Sequence, residues 1–112
     1  MIGHDQLATG AAGAFQVKAY FVLDITVHDY GPFKTYIDAI PAMIAKHHGK
    51  YIVQGVEPTL LEGEWKHERL VVIEFPSRAD ADALLSDPEA QKLFAIRHAT
   101  TTGRMLLADG CT

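Results

Sequence analysis

The side chains of this 112-residue chain whose type and setting could do chemistry are Asp24, Glu74, His47, Arg97, Tyr20, Tyr36 and Trp65. Asp24 and Glu74 sit inside otherwise apolar, strand-like segments. Loss of water there would suit either carboxyl to general acid or base work. His47 could serve as a base if a substrate proton came within reach; near a helix C-terminus it could equally interact with the helix dipole. The planar fork of Arg97 could hold a carboxylate or an enolate, or it could pair with Glu74 or cap carbonyls of a neighbouring element. Tyr20 should lie near Glu74 as an acid–hydroxyl pair, although Glu74 could instead meet an arginine across a dimer seam. Tyr36 lines a pocket or packs in the core with its hydroxyl at the edge. Trp65, after the acidic turn Glu62-Gly63-Glu64, gates a pocket or anchors a dimer.

Other chemistries lack their signatures. The six histidines, at 4, 28, 47, 48, 67 and 98, form no H-x-x-x-H pair with a carboxylate, so no metal is expected. The single cysteine, Cys111, excludes a disulfide framework and reads as inert near the chain end. No P-loop, no G-x-G-x-x-G and no G-x-S-x-G occurs, so no cofactor is expected and no serine nucleophile. Ten basic against fourteen acidic residues leave a net charge of −4, which argues against a nucleic-acid footprint. No apolar run approaches the roughly 20 residues that span a bilayer. Hydrophobic content of 48% and charged content of 21% place the chain in the ordinary globular range. The expectation is a reduced, cytoplasmic protein that binds neither membrane nor nucleic acid.

The elements that must position these residues are legible in order. Residues 1–16 lack periodicity and read as a flexible N-terminal extension or cloning remnant, leaving 17–112 as a single domain. KAYFVLDITV (18–27) reads as a strand. Asp29 then caps a helix whose stripe is Phe33, Tyr36, Ile37, Ile40, Met43, Ile44 and His47. Pro41 should kink that helix, and Gly49 stands where a left-handed residue is wanted to end it. KYIVQG (50–55) is a short strand with a hairpin-like extension through TLLEG, and RLVVIEF (69–75) is a compact one. Ser77 with Asp80 opens a short helix to about Leu85. Asp87-Pro88 restarts helix, with Leu93, Ile96, Arg97 and Thr100 on one side and Gly103 at its end. RMLLA (104–108) closes the domain as a strand.

The order βαββαβ predicts an α+β, ferredoxin-like fold: a four-stranded antiparallel sheet with two helices on one face. Ala19, Phe21, Leu23, Ile25 and Val27, with Val71, Ile73 and Phe75, should meet the helices. The opposite face carries Tyr20, Val22, Asp24, Thr26, Leu70, Val72 and Glu74, too apolar for a face left to water. A second copy would cover it most simply, closing a dimeric α/β barrel. Asp24 and Glu74 should then stand about four residues, roughly 13 Å, apart along their strands, too far to share a proton.

Tyr36, Pro41, His47 and Gly49, the run Leu61-Glu62-Gly63-Glu64-Trp65, Glu74-Phe75-Pro76-Ser77 and Arg97 resemble the domain of unknown function 1330 family from about Lys18 to Gly110. That family is similar to the dimeric α/β-barrel superfamily. The resemblance implies cofactor-independent oxygenation or isomerisation of a small organic acid, without settling whether the protein is an enzyme. The alternative is a non-catalytic dimer that binds a small anionic or aromatic molecule or regulates a partner. On the catalytic reading Glu74, His47 or Asp24 is the acid or base, and Arg97, Tyr20, Tyr36 and Trp65 bind substrate. Ala90 stands where the family often has tyrosine, which would widen or reshape a pocket that such a tyrosine lines.

Overall fold

The computed structural model describes residues 17–66 and 68–112. The readings made for residues 1–16, His4 and His67 lie outside it. Strand β1 (Ala19–Val27) leads into α1 (Tyr30–Lys46), then β2 (Lys50–Val56), β3 (Arg69–Phe75), α2 (Arg78–Ser86), α3 (Pro88–Thr100) and β4 (Thr101–Asp109). The sheet order is β2-β3-β1-β4, with every adjacent pair antiparallel. This is the ferredoxin-like arrangement that the element order predicts. The second helical stretch is divided at Asp87, whose extended backbone ends α2 and starts α3.

Burial along β1 alternates without exception, from Ala19 to Val27, so one face packs against the helices. Phe21 and Phe75 meet edge-on there, ring centroids 5.0 Å apart, among the most deeply buried side chains. Phe33, Tyr36, Ile40 and Ile44 are the buried stripe of α1, but Ile37 is 46% exposed. A stripe at spacings of three and four is wider than the surface that this sheet covers, and Ile37 falls on its outer edge.

Local chemistry sets the helix ends, with some changes from expectation. Asp29 occupies the N-cap of α1 without a side-chain cap hydrogen bond. At the other end His48, not Gly49, takes the left-handed conformation, with φ 69°. The His48 N–H bonds the Ala45 carbonyl and the Gly49 N–H bonds the Ile44 carbonyl, a Schellman ending. Gly49 is required for space instead: a Cβ there would stand 2.6 Å from Phe75 Cε1. Ser77 accepts from the Asp80 N–H while its hydroxyl donates to the Asp80 carboxylate, a reciprocal cap.

Two strand boundaries move. The extension after β2 is irregular loop, because the register with β3 slips twice and β2 ends at Val56. Strand β4 begins at Thr101, so Gly103 lies inside it and does not end the helix. It pairs with Ile25, and any Cβ at that position would collide with the Asp24 carbonyl.

Candidate functional site

The proposed site residues, His47 apart, divide between the two faces of the sheet. On the open face Tyr20 and Glu74 are register partners, and the Tyr20 hydroxyl donates to Glu74 Oε2 at 3.0 Å. That bond and the neighbouring carboxylate push the Tyr20 phenol above its ordinary pKa. Lys50 approaches the other Glu74 oxygen at 3.5 Å. Asp24 pairs with Leu70, four positions away along β3, so the two carboxylates stay apart. Asp24 instead accepts from the Trp65 indole N–H at 2.7 Å. Trp65 thereby draws the 57–66 loop over this face, framing a cavity of about 500 Å³ with Val22, Leu70, Arg104 and Leu106.

His47 belongs to neither face. Its Nε2 donates to Asp87 Oδ2 at 2.8 Å, and Lys46 reaches the same oxygen at 2.9 Å. The other Asp87 oxygen accepts from the Glu89 N–H, capping α3. Asp87 is therefore a clamp between the end of α1 and the start of α3. The hydrogen bonds from His47 and Lys46 hold its carboxyl well below the usual carboxylate range. A depressed folded-state pKa stabilises the native state above the unfolded-chain value near 4, and that contribution is lost as pH falls through the folded value. Melting temperature should therefore drop as pH is lowered below about 4, and Asp87→Asn should flatten that slope. Melting curves of both proteins between about pH 5 and 2.5 check it; parallel slopes would show that Asp87 does not carry the effect.

Between helices and sheet lies a cavity of about 290 Å³, lined by Leu23, Ile25, Phe33, Tyr36, Ile37, Pro41, Tyr51, Gln54, Gly55, Arg69, Val71 and Ile73. Its walls are mostly apolar, with two phenols, one amide and one guanidinium as the polar groups, the usual make-up of a small-molecule site. Burial raises the Tyr51 phenol above its ordinary pKa and keeps it a neutral hydroxyl. A neighbouring cavity of about 300 Å³ is lined by Arg97, His98, Thr101 and Met105, and shares Leu23 and Ile25 with the first. The two are lobes of one groove over a common apolar floor.

Arg97 stands beside that floor. It is only 7% exposed, and its Cζ lies 5.1 Å from the Phe94 ring centroid and 5.7 Å from that of Tyr36. Nη1 donates to the Tyr36 hydroxyl at 3.3 Å and Nη2 to His98 Nε2 at 3.3 Å. No carboxylate among the described residues comes within ion-pair distance of it. The expected alternative of an Arg97–Glu74 pair is overturned, since parity places Glu74 on the opposite face of the sheet. With Arg97 donating to its oxygen, Tyr36 is left to direct its own proton into the groove.

The structure thus joins Tyr36 to Arg97, Tyr20 to Glu74 and Asp24 to Trp65, but does not gather Glu74, His47 and Asp24 into one site. Ala90 is fully buried and lines neither lobe of the groove, so its difference from tyrosine does not shape this pocket. Arg69, Tyr51 and Tyr30 were missed from sequence. Strand parity was the available signal, because Arg69 continues the inward series Val71, Ile73 and Phe75. Among the described residues no group of three or more His, Cys, Asp or Glu could hold a metal, and no helix is long and apolar enough to cross a membrane.

A four-stranded sheet of order β2-β3-β1-β4, helices on one face and a groove between the layers define the α+β, ferredoxin-like class that includes the dimeric α/β barrels. Within it the chain belongs to the domain of unknown function 1330 family, whose model matches residues 18–111. The crystal structure of RPA0582, a protein of unknown function from Rhodopseudomonas palustris, superposes with a TM-score of 0.71 at 16% identity, over 96% of this chain and 93% of that one. SnoaB, a cofactor-independent oxygenase from Streptomyces nogalater, superposes with a TM-score of 0.57 at 20% identity, over 81% of this chain and 90% of that one. At these identities the likeness shows the fold. No curated protein matches the chain in sequence.

Proposed function

We propose that the protein binds a small organic acid in the groove floored by Leu23 and Ile25, and acts on it as a cofactor-independent oxygenase or isomerase, in the cytoplasm and as a homodimer. The observation that carries this reading is Arg97: a buried guanidinium without a carboxylate among the described residues, donating to a tyrosine that lines a largely apolar cavity. A buried cation is costly unless an anion joins it, and a ligand oxyanion at Tyr36 and Arg97 meets that need. Enolates and phenolates are the oxyanions whose carbon skeleton is activated by such binding. Isomerisation moves one proton between carbons of the bound enolate. Oxygenation of 1-naphthol, as an example, converts it with one O₂ into 1,4-naphthoquinone and water. The ring supplies all four electrons, one oxygen atom enters the ring carbon and the other leaves as water. The shared fold of a cofactor-independent oxygenase supports this as an analogy.

A non-catalytic binding role is the second reading. It is favoured by the distance of the acid and base candidates from the groove: Asp24 and Glu74 face the other side of the sheet, and His47 is engaged by Asp87. Thermal melts with salicylate and 2-naphthol, with oxygen uptake on 1-naphthol, separate the cases. A ligand that binds only the native state stabilises it by about 2.7 kcal/mol at a hundred times its Kd. A saturable rise in melting temperature is expected, together with one O₂ consumed per quinone formed. A rise with neither turnover nor isomerised product selects the binding role, and no rise with either compound sinks the groove as a small-acid site.

A further inference from the structure

Resting on the reading of the groove as a small-acid site, we propose that Arg69 is a second anchor, which selects ligands carrying a carboxylate at the end opposite the oxygen held by Tyr36 and Arg97. Arg69 opens β3 opposite Ile25, and its side chain lines both the inter-layer cavity and an outer cleft with Tyr30, Glu57 and Glu68. The guanidinium is seated on Tyr30, its Cζ 5.6 Å from the ring centroid and Nη2 donating to the hydroxyl at 3.3 Å. Glu57 and Glu68 line the same cleft, yet no carboxylate among the described residues pairs with Arg69 within ion-pair distance. Of five donors in a rigid fork, Tyr30 takes one, and the remaining edge suits a planar carboxylate.

One helix links the two anchors, and Arg69 and the Tyr36 bound by Arg97 line the same cavity. Tyr30, which seats Arg69, and Tyr36, which is bound by Arg97, lie six residues apart on α1, about 9 Å at about 1.5 Å per residue. The cavity that Tyr36 and Arg69 share is walled by Leu23, Ile25 and Val71. A flat, fused-ring skeleton with an enol or phenol oxygen at one end and a carboxylate at the other spans such a site. In a chain of net charge −4, two arginines without carboxylate partners among the described residues line the two adjoining cavities that share Leu23 and Ile25. The ligand class is therefore an aromatic hydroxy or keto acid, and Arg69 sets the preference for its acid group.

Calorimetric titration of the full chain with 6-hydroxy-2-naphthoate and 2-naphthol tests this. The wild-type protein should bind the acid about tenfold more tightly than the naphthol, the gain expected of one charge-assisted contact. Arg69→Gln should erase that preference, weakening the acid far more than 2-naphthol. Tyr30→Phe, which removes the hydroxyl that orients the guanidinium, should reduce the preference in part and carries the test if Arg69→Gln does not fold. Equal affinity of the wild-type protein for both compounds overturns the second anchor alone, as does equal weakening of both by Arg69→Gln. Failure of both compounds to bind overturns the small-acid groove and this inference with it.

Discussion

Arg97→Met is expected to keep its fold and lose its ligands. The methionine side chain follows the same course as the arginine stem and keeps contact with Phe94 and Tyr36, the rings on which the guanidinium now rests. What is removed is a buried charge that no carboxylate among the described residues offsets. Replacing such a charge by an apolar group of similar length is often neutral or stabilising. The melting temperature should therefore stay within a few degrees of the wild-type value, or rise. Affinity for salicylate should fall about tenfold to a hundredfold, the worth of a hydrogen bond to a charged group at about 1.5–3 kcal/mol. Arg97→Ala is the poorer probe, because it also empties the space between the two rings. A collapse of melting temperature in Arg97→Met would make the guanidinium a strut between α1 and α3 and remove the main support for the ligand site.

Val72→Glu is expected to turn the proposed homodimer into a folded monomer. Val72 stands at the centre of the open face, opposite Val22 on one side and Val53 on the other. Leu106 at 61% exposure and Val56 at 54% extend the apolar area toward the two edges. An apolar face this continuous marks an association surface. The antiparallel sheet already satisfies its internal backbone pairing, so a second sheet laid face to face has only side chains to bury. In a two-fold interface a single substitution places two like charges in the seam. The dimer dissociation constant should rise at least a hundredfold, about 2.7 kcal/mol, while the helix-facing core is untouched. Sedimentation velocity at micromolar concentration reads this directly. A wild-type protein that sediments as a monomer would remove the dimer from the proposed function.

The sequence by itself determined the elements, because their signals are carried by near neighbours. Period-two alternation in 19–27 and 69–75 sorted the faces of β1 and β3, and the caps at Ser77 and Asp87 placed the starts of α2 and α3. The order of those elements was enough for the ferredoxin-like fold, and the apolar open face was visible in the same alternation. Errors came where an end depends on what packs against it: Gly49 answers to the Phe75 ring, and Gly103 to the Asp24 carbonyl. Only the tertiary structure decided which chemical groups meet. Arg69 reaches Tyr30 across 39 positions, Trp65 reaches Asp24 across 41 and Arg97 reaches Tyr36 across 61. Such pairings depend on strand register, on two slips in β2 and on how two helices lie over one sheet. The physical reason is one of range: backbone preference and capping act within a few residues, while a binding site is made where the closed chain brings distant side chains onto one surface.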